Sequence, residues 1–278
     1  MLWGANPVAI KLALVDVPPL RLGVLRFLVG GLVILLWAGR TGRLAGFHIA
    51  SHEWRPLVGL GLLLGVQNGS MNIGTSLTSA AHSALLLNLY AVHTVALAHF
   101  VIPGDRLTAR RLGGVLVAYA GIVALFARQL TAGSSTVRGD LIVFASGFLL
   151  AERTVYLARM VHRLDQVKIL LAQAGIGILV FLAGSLAFED APTHWTVGLA
   201  GSLAYQGVLI SGFNFIVNLW LLGRYRPSAL AVFFLTQPIF GVVAAALVAG
   251  DRLTSDLVVA SLAVAAGIGL ASRRGGRA

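Results

Sequence analysis

Apolar residues fill this chain in long stretches, interrupted at short intervals by arginines, glycines and prolines. Ten such runs can be marked, at 3–17, 20–39, 56–73, 80–102 and 112–126, then 141–161, 167–188, 197–222, 229–249 and 257–271. Crossing about 30 Å of hydrocarbon takes about 20 helical residues, and most of the runs come close to that length. The first is short for a span, so its opening turns are expected to be missing or the helix unusually short. The polar stretch 128–140, with Gly133-Ser134-Ser135, reads as a linker. It divides the chain into 1–128 and 129–278, each with five predicted helices.

The two parts repeat each other. Gly104-Asp105-Arg106-Leu107-Thr108 recurs letter for letter at Gly250 to Thr254, a shift of 146 residues. The same shift carries Gly61, Gly65, Asn68 and Asn72 onto Gly207, Ser211, Asn214 and Asn218, and Ala120-Gly121-Ile122 onto Ala266-Gly267-Ile268. Three matches at one shift identify a duplicated unit. A five-helix unit ends on the opposite side of the bilayer from its start, so its copy enters from the other face. The expected fold is an all-α integral membrane protein of ten transmembrane helices in two inverted five-helix repeats, an arrangement used for alternating access.

Composition strengthens this reading. The chain is 58% hydrophobic and only 11% charged, against about 25% charged in soluble domains. No basic stretch and cleavage site precede the first run, so no signal peptide is expected. The formal charge of +11 raises nucleic acid as a partner, but the basic residues lie in short gaps between apolar runs, which leaves no basic face for it. Their distribution instead sets orientation. Alternate loops and the tail carry 14 Lys and Arg, among them Arg40, Arg43, Arg159, Arg163, Arg224 and Arg226. The opposite loops carry Arg21, Arg128, Arg138 and Arg252, with the acidic pair Glu189-Asp190. The positive-inside tendency then puts both termini in the cytoplasm of a cell (inner) membrane. Cysteine is absent, and no metal or cofactor is expected.

The order and spacing of several motifs resemble the drug/metabolite transporter superfamily, EamA type. They are Trp3-Gly4-Ala5-Asn6 with Lys11, Pro18-Pro19-Leu20 with Leu25-Arg26-Phe27, Thr78-Ser79-Ala80-Ala81, Phe234-Leu235-Thr236-Gln237-Pro238 with Phe240-Gly241, and the two Gly-Asp pairs. The resemblance covers nearly the whole chain. It implies ten helices in two homologous halves, with the fifth and tenth outside a central cavity, and export of small polar metabolites. The chain departs from the family in three places. It has Asp where the family's fourth helices end in Glu, Ala91-Val92 opposite Gln237-Pro238, and the charged pair Glu152-Arg153.

Polar residues inside a bilayer are costly and mark functional sites. Glu152 and Arg153 lie midway along the sixth run. The arginine suits a carboxylate or phosphate; the glutamate suits an amine or a coupling proton; a structural ion pair is the bland alternative. Asn6 maps onto Glu152 under the 146-residue shift, which favours a shared cavity-facing position. Asn68, Asn72, Asn214 and Asn218, on stripes of small residues, either line the cavity or hydrogen-bond across helix contacts. Gln237 and Pro238 form a mid-helix break, a hinge or a simple bend, with the carbonyl of Phe234 freed. Tyr90 and Tyr156 could stack on a solute, as could Trp3, Tyr205, Trp220 and Phe233, though packing explains most of them. His93 and His99 could relay protons or sit satisfied among neighbours. Lys11 and Arg26 read as snorkelling cations near the outer ends of their helices. The Ala/Gly faces of the fifth and tenth runs (Gly113, Val117, Gly121; Ala263, Gly267, Ala271) either pack internally or pair two copies.

The favoured function is a secondary transporter that exports anionic or zwitterionic solutes such as amino acids. The alternative is an exporter of lipophilic cations with Glu152 as counter-ion. An intramembrane enzyme is disfavoured, because His-Glu-x-x-His and Gly-x-Ser-x-Gly motifs are missing, as is the phosphate-cradling loop that ATP drive needs.

Overall fold

The structure, a computed structural model, describes residues 3–45, 47–103, 107–131, 136–230 and 237–272. Every regular element among them is helical. In chain order these are α1 (Asn6–Ala13), α2 (Pro19–Arg40), α3 (Trp54–Ser76) and α4 (Ala80–Val101). They continue as α5 (Ala109–Thr131), α6 (Val137–Met160), α7 (Gln166–Phe188) and α8 (Val197–Leu222). After a single turn at Pro227–Leu230 come α9 (Gln237–Ala249) and α10 (Ser255–Ser272). Six of these, α2 and α4 to α8, are long and apolar enough to cross a membrane. Helix α3 has the length, but Gln67, Asn68 and Asn72 on its buried side lower its hydropathy. Along α2, Leu28, Leu32 and Leu36 stand outward, as do Leu179, Leu182 and Leu186 on α7. Such large exposed apolar faces suit lipid rather than water. The chain is a multi-pass membrane protein.

The ends of the helices follow local chemistry. Pro19 opens α2 and Ser79, Asp165 and Thr196 cap α4, α7 and α8 through side-chain oxygens. Gly42 and Gly250 sit at φ +69° and +72° where α2 and α9 stop, a left-handed turn that favours glycine. Helix α8 widens to π geometry over Ala204–Asn214, with i→i+5 bonding of the kind that marks functional segments. The expected linker 128–140 is mostly helix, since α5 runs to Thr131 and α6 starts at Val137; 132–135 lie outside the described residues.

Glycines set the closest contacts. A Cβ on Gly61 or Gly65 of α3 would come within 2.5 and 2.8 Å of Ile176 and Val180 on α7. A Cβ on Gly207 or Gly212 of α8 would meet Val29 and Val33 of α2 at 2.6 and 2.7 Å. Helices α5 and α10 pack on each other through Gly114, Ala118 and Gly121 against Ala260, Ala263 and Gly267. That face is therefore used within one chain, in a register offset from the expected one: nothing lies near Gly113, and Val117 is exposed.

Candidate functional site

Where α1, α2, α3, α4, α6 and α8 converge, they enclose a cavity of about 10 Å³, room for about one water. Two arginines dominate it. Arg26 of α2 is 1% exposed and Arg153 of α6 is 3% exposed. The Arg26 guanidinium donates to Asn68 Oδ1 and, at 3.4 Å, to Gln206 Oε1. Arg153 Nη1 donates to Gln67 Oε1 at 3.3 Å. Both guanidiniums also lie against aromatic rings, Arg26 on Phe27 at 4.9 Å and Arg153 on Phe215 at 5.1 Å. No carboxylate lines the cavity among the described residues. Two positive groups are thus held in low dielectric by amides and rings alone.

Around the same space, several buried polar atoms lack a hydrogen-bond partner: Arg26 Nε, Arg153 Nε, Trp3 Nε1, Ser211 Oγ and Asn6 Oδ1. Each such atom left unmatched costs about 1–3 kcal/mol. Most are donors, and all belong to residues that line this one cavity, with the Asn6 carbonyl as an acceptor among them. An anionic oxygen would satisfy the donors and a bound amine would satisfy Asn6.

The predicted residues divide clearly. Arg153, Asn6 and Asn68 meet at the cavity. Glu152, expected to share it, is exposed on the outer side of α6, because successive helical residues point about 100° apart. Asn72 is buried but donates to the Pro19 carbonyl at 2.9 Å, fixing the start of α2. Asn214 and Asn218 are half-buried on α8 and do not reach the cavity. Gln237 and Pro238 are buried in α9 and do not line the cavity; the residues before them, with Phe233 and the freed carbonyl of Phe234, lie outside the described residues, and so does the expected mid-helix break. Tyr90 packs on Trp3 with ring centroids 5.7 Å apart, and Tyr156 covers Gly59 of α3. His93 is enclosed by the rings of Tyr119, Phe144 and Phe148, and His99 Nδ1 accepts from the Leu107 N–H at 3.1 Å. Trp220 lies beneath the Arg224 guanidinium.

One contributor was read differently from the sequence and one was not singled out. Arg26, read there as a snorkelling cation, turns inward. Gln67 bridges the arginines, donating to Ser146 Oγ while its carbonyl accepts from Asn68 and Arg153. The available signal was a polar pair, Gln67-Asn68, in the middle of an apolar run.

Beyond the cavity, at the C-terminal end of α3, stands a polar rim. Lys11 of α1 donates to the carbonyls of Thr75, Ser76 and Thr78, at 3.1, 3.3 and 2.6 Å, capping the end of α3. Asp140 of α6, fully buried, accepts from the hydroxyls of Thr78 and Thr136 and lies 3.1 Å from His82 Nδ1. Asp251 accepts from the Ala81 N–H at 2.7 Å. The turn between α3 and α4 is therefore gripped by α1, α6 and the loop before α10. Close by, Glu189 accepts from the Leu20 and Arg21 N–H groups at the start of α2, at 2.6 and 2.9 Å.

Comparison with known proteins agrees with this architecture. Two stretches, 1–127 and 137–273, match the model of the EamA-like transporter family. A protein of Salmonella typhimurium described as a probable amino-acid metabolite efflux pump is 28% identical over 96% of this chain and 90% of its own length. The Escherichia coli protein of the same description is 26% identical over the same shares, and the uncharacterized transporter YoaV of Bacillus subtilis is 22% identical over 96% and 92%. A crystal structure at 22% identity superposes with a TM-score of 0.71, covering 97% of this chain and 92% of the other, so the fold is shared. With both stretches matched and the cavity set among helices from each, the chain belongs to the EamA-like transporter family.

Proposed function

We propose that this protein is a secondary transporter of the cell membrane that exports small zwitterionic or anionic metabolites, amino-acid-like in chemistry, by alternating access. The observation that carries the reading is the pair of buried arginines lining one cavity with no carboxylate opposite them among the described residues. A solute carboxylate between Arg26 and Arg153 supplies the missing negative charge. The Asn6 carbonyl accepts from the solute's ammonium, and the idle donors of Trp3 and Ser211 take further oxygen atoms. The names of the Salmonella and Escherichia coli relatives point to the same solute class. A lipophilic cation fits this cavity poorly, since two guanidiniums repel it and Glu152 stands outside.

The moving parts are two inverted five-helix halves, 1–128 and 129–278. In support, the 146-residue shift maps α2 onto α7 and α3 onto α8. The α3–α7 glycine contact then reappears as the α8–α2 contact with the halves exchanged. The shift also maps Gly121 onto Gly267 and Gly114 onto Ala260, and their contacts exchange in the same way. The cavity in its closed form is too small for an amino acid, so solute enters only when the halves part on one side. The arginine-rich loops lie on the cytoplasmic side.

Counterflow of labelled amino acids in proteoliposomes tests this. A hydrogen bond to a charged group contributes about 1.5–3 kcal/mol, so Arg153→Gln and Arg26→Gln each reduce flux about tenfold or more. Glu152→Gln leaves it unchanged. Undiminished flux in Arg153→Gln would falsify the assignment.

A further inference from the structure

A second cleft opens on the arginine-rich face, with a volume of about 380 Å³. Its walls are the end of α4, the end of α6 and the α8–α9 connection. Arg159 of α6 and Arg163 of the turn after it line the cleft, as do Arg224 and Arg226, together with His162 and Tyr225. No acidic residue lines it among the described residues. Loop arginines on a cytoplasmic face are ordinary, but here they converge from two elements on a concave space. Arg224 is held in place, its guanidinium 3.8 Å from the centre of the Trp220 ring. An ordered donor loses less rotamer freedom on binding than a free one.

We infer that this cleft is an anion-binding site that takes a single carboxylate or phosphate group. Its position gives it a role on the proposed solute path, and that role rests on the function argued above. The helices that build the cleft also build the cavity. Along α6, Arg153 lines the cavity and Arg159 lines the cleft, about 9 Å further at 1.5 Å per residue, and Arg163 follows in the turn after the helix. Along α8, Phe215 lines the cavity, and Arg224 follows the end of the helix. Between Arg153 and the cleft along the chain come buried apolar residues, Leu157 of α6 and Val161 just after it, with Leu219 of α8, and Ala158 and Leu222 form the cleft's own apolar wall. Cleft, apolar layer and cavity therefore follow in series along α6 and α8. A negatively charged group gathered by the cleft waits one layer from Arg153, and crosses when α6 and α8 separate. A basic mouth over a low-dielectric path also raises the local concentration of anions. The same chemistry would hold the phosphate of an anionic lipid.

Trp220 is a built-in reporter, because an anion on Arg224 perturbs the indole beneath it. The test titrates inorganic phosphate and sodium acetate, at constant ionic strength, into the full chain in phosphatidylcholine nanodiscs while reading fluorescence. Saturable change is expected in the native chain and is absent in Arg159→Gln/Arg163→Gln/Arg224→Gln; Trp220→Phe removes the signal and identifies its source. If nanodiscs with phosphatidylglycerol abolish the response to phosphate, the lipid headgroup is the occupant; if they leave it intact, the site is open to solute. No saturation with phosphate, acetate or phosphatidylglycerol overturns the inference. In proteoliposomes with L-glutamate as probe, the triple variant should raise the half-saturation concentration about tenfold from the arginine-rich face alone, at unchanged maximal rate. The single variant Arg163→Lys, which keeps the charge, should stay near native. A triple variant with native half-saturation, beside an inactive Arg153→Gln, removes the cleft from the path and leaves the central site standing. Native flux in Arg153→Gln removes the central site while the fluorescence result stands by itself.

Discussion

Asp140 shows how much one side chain holds at the rim. It is fully buried and has two hydroxyls and an imidazole nitrogen around its oxygens. Removing it leaves Thr78 without its acceptor in a dry place, which costs about 1–3 kcal/mol. Asp140→Ala should therefore lower the thermal unfolding midpoint clearly in detergent, while Asp140→Asn, which keeps a carbonyl for Thr78, recovers part of the loss. An unchanged midpoint in the alanine variant would mean water replaces the carboxylate. At the other end of α3, Glu53 receives Lys168 Nζ at 2.7 and 2.9 Å and the Ala50 N–H at 2.8 Å. The lysine hydrogen bond, and then the backbone one, hold its carboxyl below the usual glutamate range. A depressed carboxylate stabilises the fold above the unfolded value of about 4.3 and loses that contribution as pH falls through the folded value. Unfolding midpoints of native protein and Glu53→Gln should thus differ at neutral pH and converge under acid. At this scale the sequence was only partly legible. It marked the charged pair on α6 but not which member turns inward, since neighbours on a helix diverge and only packing decides. It put Arg26 with the headgroups, because a sequence does not show that Asn68 and Gln206 come from other helices to meet it.

Elements are held together by the smallest residues. A Cβ on Gly74 of α3 would come 2.9 Å from the Val143 backbone, and one on Gly139 of α6 would come 2.6 Å from the Leu77 carbonyl carbon. Backbone is in contact with backbone here, directly beneath the Asp140 rim, so no side chain can move aside to make room. Gly139→Ala should force α3 and α6 apart on that side and favour the state open there. A cysteine probe in the cavity at Ser211 should then react faster from the face that carries Asp251. Unaltered reactivity would mean the rim is not the gate. Gly267→Leu is a control of another kind: its Cβ would meet the Gly114 carbonyl at 2.5 Å. It should loosen α5 from α10 and lower stability without altering solute selectivity. Elements were the most legible scale, because long apolar runs have few other solutions in lipid. The exceptions have physical causes. Helix α1, expected to be short, is Asn6–Ala13, and helix runs into both ends of the expected linker because polar residues at a helix end are solvated rather than unwound, while 132–135 lie outside the described residues. The π segment of α8 has no signal in composition.

For the whole molecule, the decisive question is whether identical peptides face opposite compartments. Gly-Asp-Arg-Leu-Thr occurs twice, and a five-span unit copied in tandem puts its two examples on different sides, whereas an even-span unit would put both on one. The chain contains no cysteine, so single replacements report without background. His48, Asp190 and Arg252 are exposed. Asp190→Cys and Arg252→Cys should react with an impermeant maleimide on intact cells; His48→Cys and Arg106→Cys should react only after permeabilisation. Arg106 and Arg252 occupy the same place in the same five-residue peptide, so local sequence cannot account for a difference between them. Only the path of the backbone through the bilayer can. If both label from one side, the halves are parallel, the exchange of glycine contacts between α3–α7 and α8–α2 has another origin, and a two-sided mechanism around Arg26 and Arg153 loses its basis. If they label from opposite sides, each half offers the cavity the same helices in reversed direction. The occluded form then has an inward-open and an outward-open neighbour of similar energy, which a carrier needs in order to cycle.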